Sequence, residues 1–368
     1  MSSFDLNALV RPNVRTLKPY QSARDSIQSG VLLDANENPY PVLKDGIQLN
    51  RYPDPNQAEL RRALADYVGL DAPNVLAGAG SDEVLDWIFK VFLQPGKDLA
   101  AILEPTYGMY RVQADIMGVE AVGLSLHGED FSFSASRYLQ EAPRKARVAF
   151  LCSPNNPTGN LLEGEEVLKL CRDWGKIVVL DEAYVEFADR PSMAAQVRAH
   201  PNLVIMRTLS KAFGRAAIRL GYALASPQII EYFRKVKAPY NLNALTQRQG
   251  VLALQEGPSR LEKILSERSR LRRALQNIPA VGPIFASQCN FLLFKVADAS
   301  LLCRKLLERG VVVRDRSSMP GLADTIRVSI GRPEENDLFL HEFRRLVAPE
   351  SATAAASQGR QPPGGHHA

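Results

Sequence analysis

Cysteine is scarce and scattered. Cys152, Cys171, Cys289 and Cys303 are the only four in the chain, and no two form a CxxC pair. That spacing argues against a zinc site and a disulfide framework, so no metal is expected, and it fits a reducing cytoplasm. Long apolar runs are also missing. None reaches the roughly 18 residues of a membrane span, and Met1 to Val10 lacks a signal-peptide core. Charge of one sign is not in excess either: 45 Lys and Arg against 40 Asp and Glu leave a net charge of +5. No basic run interleaved with aromatics occurs, so nucleic acid is not an expected partner. No repeat of solenoid type is present.

What is there belongs to a soluble globular protein. The chain has 368 residues, 45% hydrophobic and 23% charged, enough for two domains. Asp82 and Glu83 follow Ser81, which can cap a helix, and Val84, Leu85, Ile88, Phe89 and Phe92 recur at helical spacing until Pro95-Gly96. Leu99–Leu103, Val148–Cys152, Ile177–Leu180 and Leu203–Met206 are short apolar runs separated by helical segments. They predict an α/β fold with a mostly parallel central sheet flanked by helices. In such sheets ligands sit beyond the carboxyl ends of the strands.

Near Pro258 the pattern changes. A charged helix over Ser259–Asn277 leads into a strand at Asn290–Val296 and a helix at Leu301–Arg309. Strands at Val311–Arg314 and Thr325–Ile330 and a helix over Glu334–Val347 follow. The domains expected are a large one over 49–258 and a smaller α+β one from 259–348 with an N-terminal arm, 11–48. The Ala-, Ser-, Gly- and Pro-rich tail, 351–368, reads as disordered, with His366 and His367 part of it.

Chemistry-bearing residues cluster at the expected strand ends. Lys211 in Thr208–Gly214 follows a hydroxyl residue at a strand end, where an amine can form a Schiff base with an aldehyde cofactor; the alternative is a surface lysine at a helix start. Ser210 and Arg219 could share a phosphate. Asp181 ends an apolar strand, a poor place for an acid without a partner. A pyridinium nitrogen is one such partner, with Tyr184 reaching the ring's phenolate oxygen; capping of a following helix is the other reading. Ser153–Gly159 (SPNNPTG) is a rigid turn that could aim the Asn156 amide at the same oxygen. Gly80, Ser81 and Asp82 open a helix whose N-terminus favours an anion, or they simply cap it. Tyr107, in PTYGMY, either stacks on an aromatic cofactor or packs in the core.

The ordered set GAGSDE, PTYGMY, SPNNPTG, DEAY and SKAFG with Arg219 resembles the fold-type-I, pyridoxal-phosphate-dependent aminotransferases. PNVRTLKPYQSAR, DANENP, RYPDP, VRDR and IRVSIG are similar to the histidinol-phosphate aminotransferase family, and the likeness spans about residues 11 to 347. The resemblance implies pyridoxal 5'-phosphate as cofactor. Lys211 would carry it and shuttle the proton. Asp181 would meet its ring nitrogen, and Tyr184 and Asn156 its ring oxygen. Tyr107 would stack on the ring, while Gly80, Ser81, Asp82, Ser210 and Arg219 would hold the phosphate. It also implies a homodimer with shared sites, in which Tyr52 reaches the neighbouring cofactor phosphate and Tyr20 the neighbouring substrate. Arg314 and Arg327 would grip the substrate phosphate, Arg327 also serving glutamate, and Asn36 joins the substrate-binding set. The reaction implied is ping-pong transamination between histidinol phosphate with 2-oxoglutarate and imidazole acetol phosphate with glutamate, in histidine biosynthesis. Alternatives on the same scaffold are a broad aromatic aminotransferase, a threonine-phosphate decarboxylase, and a non-enzymatic regulator, which usually carries an added DNA-binding module.

Overall fold

The computed structural model describes residues 4–20, 24, 30–41 and 49–348; the tail 351–368 lies outside them. The chain divides into two compact units. The first runs to Glu262 and takes back Phe285–Asn290; the second is Lys263–Ile284 and the chain from Phe291 onward.

The first unit is built on seven strands: β1 (Val75–Ala79), β2 (Leu99–Glu104), β3 (Glu120–Ser125), β4 (Ala146–Cys152), β5 (Ile177–Asp181), β6 (Leu203–Thr208) and β7 (Leu220–Leu224). Their order is β1-β7-β6-β5-β4-β2-β3. The pairs β2·β3, β2·β4, β4·β5 and β5·β6 are parallel, while β7 runs antiparallel to both β6 and β1. The sheet is therefore mostly parallel. Because β7 alone is reversed, the carboxyl ends of β1, β2, β4, β5 and β6 all fall along one edge. Every residue of β5 and β6 is buried, which explains their unbroken apolar runs: both faces are covered.

The helix Ser81–Phe92 forms the heart of this core. Its apolar positions bury Val84, Leu85, Ile88, Phe89 and Phe92, and Trp87 and Val91 are buried too. Phe89 stacks on Phe150 of β4 with ring centroids 5.4 Å apart, and Phe92 meets Phe233 edge-on at 6.1 Å. Each such aromatic, removed from water, contributes on the order of 1.5–3 kcal/mol. The capping expectation needs a correction of one residue. Gly80 occupies the N-cap, at φ 80 and ψ 167, and Ser81 is already helical. Glycine tolerates that backbone where serine would be strained. The N-terminal segment, expected with the smaller domain, belongs to the first unit, because Leu9, Val10 and Val14 are buried in this same core.

The second unit has four antiparallel strands, β8 (Val281–Ile284), β9 (Phe291–Val296), β10 (Arg314–Asp315) and β11 (Thr325–Ser329), in the order β10-β11-β9-β8. One face is closed by Leu271 and Leu275, by Leu302 and Leu306 of the helix Ala299–Glu308, and by Phe339, Leu340 and Phe343 of the helix Pro333–Val347. The strand expected at Val311–Arg314 is displaced. Val311 and Val313 pack on the core, but only Arg314 and Asp315 find a ladder partner.

Gly221 of β7 lies directly under the turn that starts the helix Ser81–Phe92. A Cβ built there would collide with the Ser81 nitrogen and the Gly80 carbonyl carbon, both backbone atoms. Gly221→Ala is expected to destabilise the protein by about 1–3 kcal/mol through overpacking. Urea unfolding of the two proteins side by side checks this, and an unchanged midpoint would contradict the close approach.

Candidate active site

The shared carboxyl edge of the sheet gathers the chemistry. Asp181 ends β5, opposite Cys152 of β4 on one side and Met206 of β6 on the other. It is 4% exposed. Its Oδ2 accepts a hydrogen bond from the Tyr110 hydroxyl at 2.7 Å, and its Oδ1 accepts one from the Ala183 N–H at 3.0 Å. Burial pushes the Asp181 carboxyl up from its ordinary value, while Tyr110, the Ala183 N–H and the Lys211 charge oppose that rise. Capping of a long helix is not its role. Only the three-residue 3₁₀ turn Val185–Phe187 follows, and no side chain caps it.

Lys211 directly follows Ser210, three residues past the end of β6, in a bend rather than at a helix start, and its Nζ stands 5.6 Å from the centre of the Tyr184 ring. Tyr184 is buried, three residues beyond Asp181. Asn156 is also buried, in the turn after β4. Its neighbour Asn155 anchors that turn. The Asn155 amide donates to the Pro105 carbonyl and to Thr158 Oγ1, and its oxygen accepts from Thr106 Oγ1. The turns after β2 and β4 are thereby locked together.

A second cluster forms at the start of the helix Ser81–Phe92. The Arg219 guanidinium lies over Gly80 so closely that a Cβ on Gly80 would come within 2.7 Å of Nη2. Arg219 itself takes a left-handed backbone, φ 51. Its Nη2 donates to Asp82 Oδ2 at 3.4 Å, and the Tyr107 hydroxyl donates to Asp82 Oδ1, also at 3.4 Å. Burial, with Asp82 and Asp181 nearby, pushes the Tyr107 phenol up to about 12. Thr208 Oγ1 donates to Ser210 Oγ at 3.0 Å, and Thr208 pairs with Gly221, the residue packed under Ser81. An arginine, a hydroxyl and the N–H groups of a helix start are the donors that suit an anion.

The other sequence candidates are placed differently. Tyr52 is 51% exposed and stacks on Tyr240 with centroids 4.4 Å apart. Tyr20 is 74% exposed. Asn36, left-handed at φ 55, lines an open cleft with Tyr52. The described contacts bring neither Tyr20 nor Tyr52 to Lys211 within one chain. Glu37 was not singled out, yet it organises this region. It accepts from the Tyr52 N–H at 2.6 Å, from Arg51 at 2.8 Å and from Arg24 at 2.5 Å. Burial raises its carboxyl, but these donors outweigh that and hold it below the ordinary value.

In the second unit Arg314 and Arg327 are direct cross-strand partners of β10 and β11. Residues so paired present their side chains on the same face. The Arg327 guanidinium also lies 5.1 Å from the Phe291 ring centre.

The donor set of the first unit fits pyridoxal phosphate. A buried carboxylate with unused lone pairs suits a protonated ring nitrogen, Tyr184 and Asn156 suit a phenolate oxygen, and Lys211 suits an aldehyde. The Arg219 guanidinium lying over Gly80, beside the start of the helix, suits the phosphate. Among the described residues no group of three or more His, Cys, Asp or Glu side chains is placed to hold a metal ion, and no helix is long and apolar enough to cross a membrane.

Residues 20–343 match the model of the family "Aminotransferase class I and II". A histidinol-phosphate aminotransferase of Parabacteroides distasonis is 42% identical over 347 residues, covering 93% of this chain and 99% of that protein. The crystal structure of histidinol-phosphate aminotransferase from Sinorhizobium meliloti, in complex with pyridoxal-5'-phosphate, superposes with a TM-score of 0.73 at 25% identity, over 81% of this chain and 84% of that one. An L-threonine-O-3-phosphate decarboxylase from Porphyromonas gingivalis has the same fold, with a TM-score of 0.71 at 25% identity, over 82% of this chain and 92% of that one. The chain belongs to the pyridoxal-phosphate-dependent class I and II aminotransferases, in the branch formed by the histidinol-phosphate aminotransferases.

One charge cluster beside the site had no sequence signal. Arg207 of β6 is buried and pairs with the buried Glu186 at 2.6 Å, with its guanidinium 5.6 Å from the Tyr67 ring and 5.9 Å from the Tyr222 ring. Glu182, next to Asp181, accepts from Ser192 Oγ at 2.5 Å and from the Met193 N–H at 2.7 Å. Burial raises the Glu182 carboxyl, and Arg207 is the charge that chiefly offsets this. Arg207→Met leaves two buried acids without their cation and is expected to cost about 3–5 kcal/mol. The sign with pH follows from Glu182. A raised folded-state pKa means its contribution is fully present below the ordinary glutamate value and is lost as pH rises through the raised one. The variant's deficit should thus be smaller at about pH 5 than at about pH 8. Denaturant unfolding at both values measures it, and an equal deficit would rule this account out.

Proposed function

We propose that this chain catalyses the reversible transamination between L-histidinol phosphate with 2-oxoglutarate and imidazole acetol phosphate with L-glutamate, a step of histidine biosynthesis, by a ping-pong mechanism. The observation that carries the substrate assignment is the Arg314/Arg327 pair. Two like charges directly opposite on one face destabilise a sheet. A dianionic phosphate converts that repulsion into two charge-assisted grips, each with room for paired hydrogen bonds. A substrate with only a carboxylate needs one such grip.

Pyridoxal phosphate, when bound, supplies an aldehyde for the substrate's amino group and an electron-accepting ring. Asp181 would hold the ring nitrogen protonated. Tyr184 and Asn156 hold the ring oxygen, and Tyr107 packs against the ring. Arg219, Ser210 and the N–H groups at Gly80, Ser81 and Asp82 hold the phosphate. The Lys211 amine would take the proton from the substrate's reacting carbon as general base and then deliver a proton as general acid. Arg327 also binds the carboxylate of glutamate.

The exposed Tyr52 and Tyr20 act across a homodimer, Tyr52 on the neighbouring cofactor phosphate and Tyr20 on the neighbouring substrate, with Asn36 beside them. Tyr52, exposed at an open, largely apolar cleft and stacked on Tyr240, offers a surface suited to such a partner. The enzyme works in the cytoplasm.

A half-reaction absorbance assay on the holoenzyme tests the reading. Histidinol phosphate should convert the cofactor band rapidly and phenylalanine only slowly, with no carbon dioxide released from threonine phosphate. Equal rates with phenylalanine would overturn the substrate assignment. Arg314→Ala should raise the KM for histidinol phosphate about ten- to a hundredfold while affecting glutamate less. Lys211→Ala should slow the half-reaction about a hundred- to ten-thousandfold.

A further inference from the structure

Tyr110 has no task in the scheme above. It lies on the helix Met109–Ile116 and is completely buried. Its ring stacks on Phe150 at 5.2 Å and meets Tyr107 edge-on at 5.6 Å. A phenylalanine would serve that packing equally well. What phenylalanine lacks is the hydroxyl, and a buried hydroxyl requires a partner. Here the partner is the Asp181 carboxylate, 2.7 Å away.

Asp181 thus has two fixed donors, one on each oxygen: the Tyr110 hydroxyl on Oδ2 and the Ala183 N–H on Oδ1. Each carboxylate oxygen can accept more than one hydrogen bond, so lone pairs remain for a third donor. We infer that Tyr110 is a positioning residue whose hydroxyl keeps Asp181 ionised and fixes its plane, so that the carboxylate can hold the cofactor's ring nitrogen protonated. The inference rests on the pairing of Asp181 with that nitrogen proposed above.

The physical case is a competition at one buried atom. Burial favours the neutral carboxyl, and the nearby Asp82 acts in the same direction. A neutral Asp181 would keep its own proton and leave the ring nitrogen without one. Hydrogen bonds donated to the charged form oppose this. Of the groups that act on Asp181, Tyr110 is first among the favourable ones, followed by the Ala183 N–H and the Lys211 charge. The Tyr110 phenol is itself held well above its ordinary value by burial, and so is the Cys152 thiol beside it. Neither gives up its proton at any pH where the enzyme works. Tyr110 therefore remains a donor, and among the described residues its charged acceptor is Asp181.

The test loads the enzyme with pyridoxal phosphate labelled with ¹⁵N in the ring and reads the nitrogen signal by solid-state NMR in four proteins. Wild type should show a protonated ring nitrogen, and Asp181→Asn should mark the neutral position. Tyr138→Phe is the control, because Tyr138 is equally buried and its hydroxyl has no hydrogen-bond partner among the described residues; it should match wild type. Tyr110→Phe, which keeps the ring packing, should move the signal towards neutral, with the protonation equilibrium weakened about tenfold or more. Its kcat should fall in step, with little change in the KM for histidinol phosphate. A Tyr110→Phe signal identical to wild type, where wild type is protonated, overturns this inference and leaves the Asp181 pairing standing. A neutral nitrogen in wild type overturns the pairing, and this inference with it.

Discussion

Asp181 ends a strand whose five residues are all buried, and a charge in that place is costly unless donors meet it. Much of the surrounding arrangement answers that demand. The helix Met109–Ile116 brings Tyr110 to one carboxylate oxygen, and the bend after β5 turns the Ala183 N–H onto the other. One strand over, Arg207 answers the acids Glu182 and Glu186 in the same way. The sheet edge is thus a row of buried acids, each held by specific partners. Asp181 has one donor on each oxygen and lone pairs left for a third.

The start of the helix Ser81–Phe92 obeys a different constraint, which is space rather than charge. Arg219 lies over Gly80, and Gly221 lies under Ser81. Both glycines are required because backbone and guanidinium approach closer than a Cβ permits. The left-handed Arg219 belongs to the same compromise. Strained backbone of this kind persists where the surrounding structure overdetermines it, and such places are often functional. Packing of the helix Ser81–Phe92 into the core through Trp87, Phe89 and Phe92 holds the whole device still.

The second unit contributes a simpler motif, two arginines opposed on adjacent strands. Its core of Leu292, Phe294, Ile326 and Val328 against Phe339 and Phe343 sets the register. A slip of one residue would carry Arg327 to the buried face. The placement of the two arginines on one face thus depends on a hydrophobic register.

The short apolar runs announced β2, β4, β5 and β6 because fully buried strands must be apolar at every position. The glycine, asparagine and proline strings after them marked the turns because few residues adopt those backbones. Lys211, Asp181, Asn156 and Tyr184 stand at or within a few residues of the end of a recognisable strand, and Arg219 directly precedes the apolar run of β7, which made them candidates. Other features depend on contacts between segments far apart in sequence, and no local pattern records those. The reversal of β7, the shift of the helix cap to Gly80, and the placement of the N-terminal segment with the first unit were settled by packing. So were the partners of Glu37, of Arg207 and of Asp181. Tyr110 shows the distinction most plainly. Its sequence neighbourhood marks it as one more helical aromatic, and only the folding of the chain across a separation of 71 positions brings the hydroxyl to the Asp181 carboxylate.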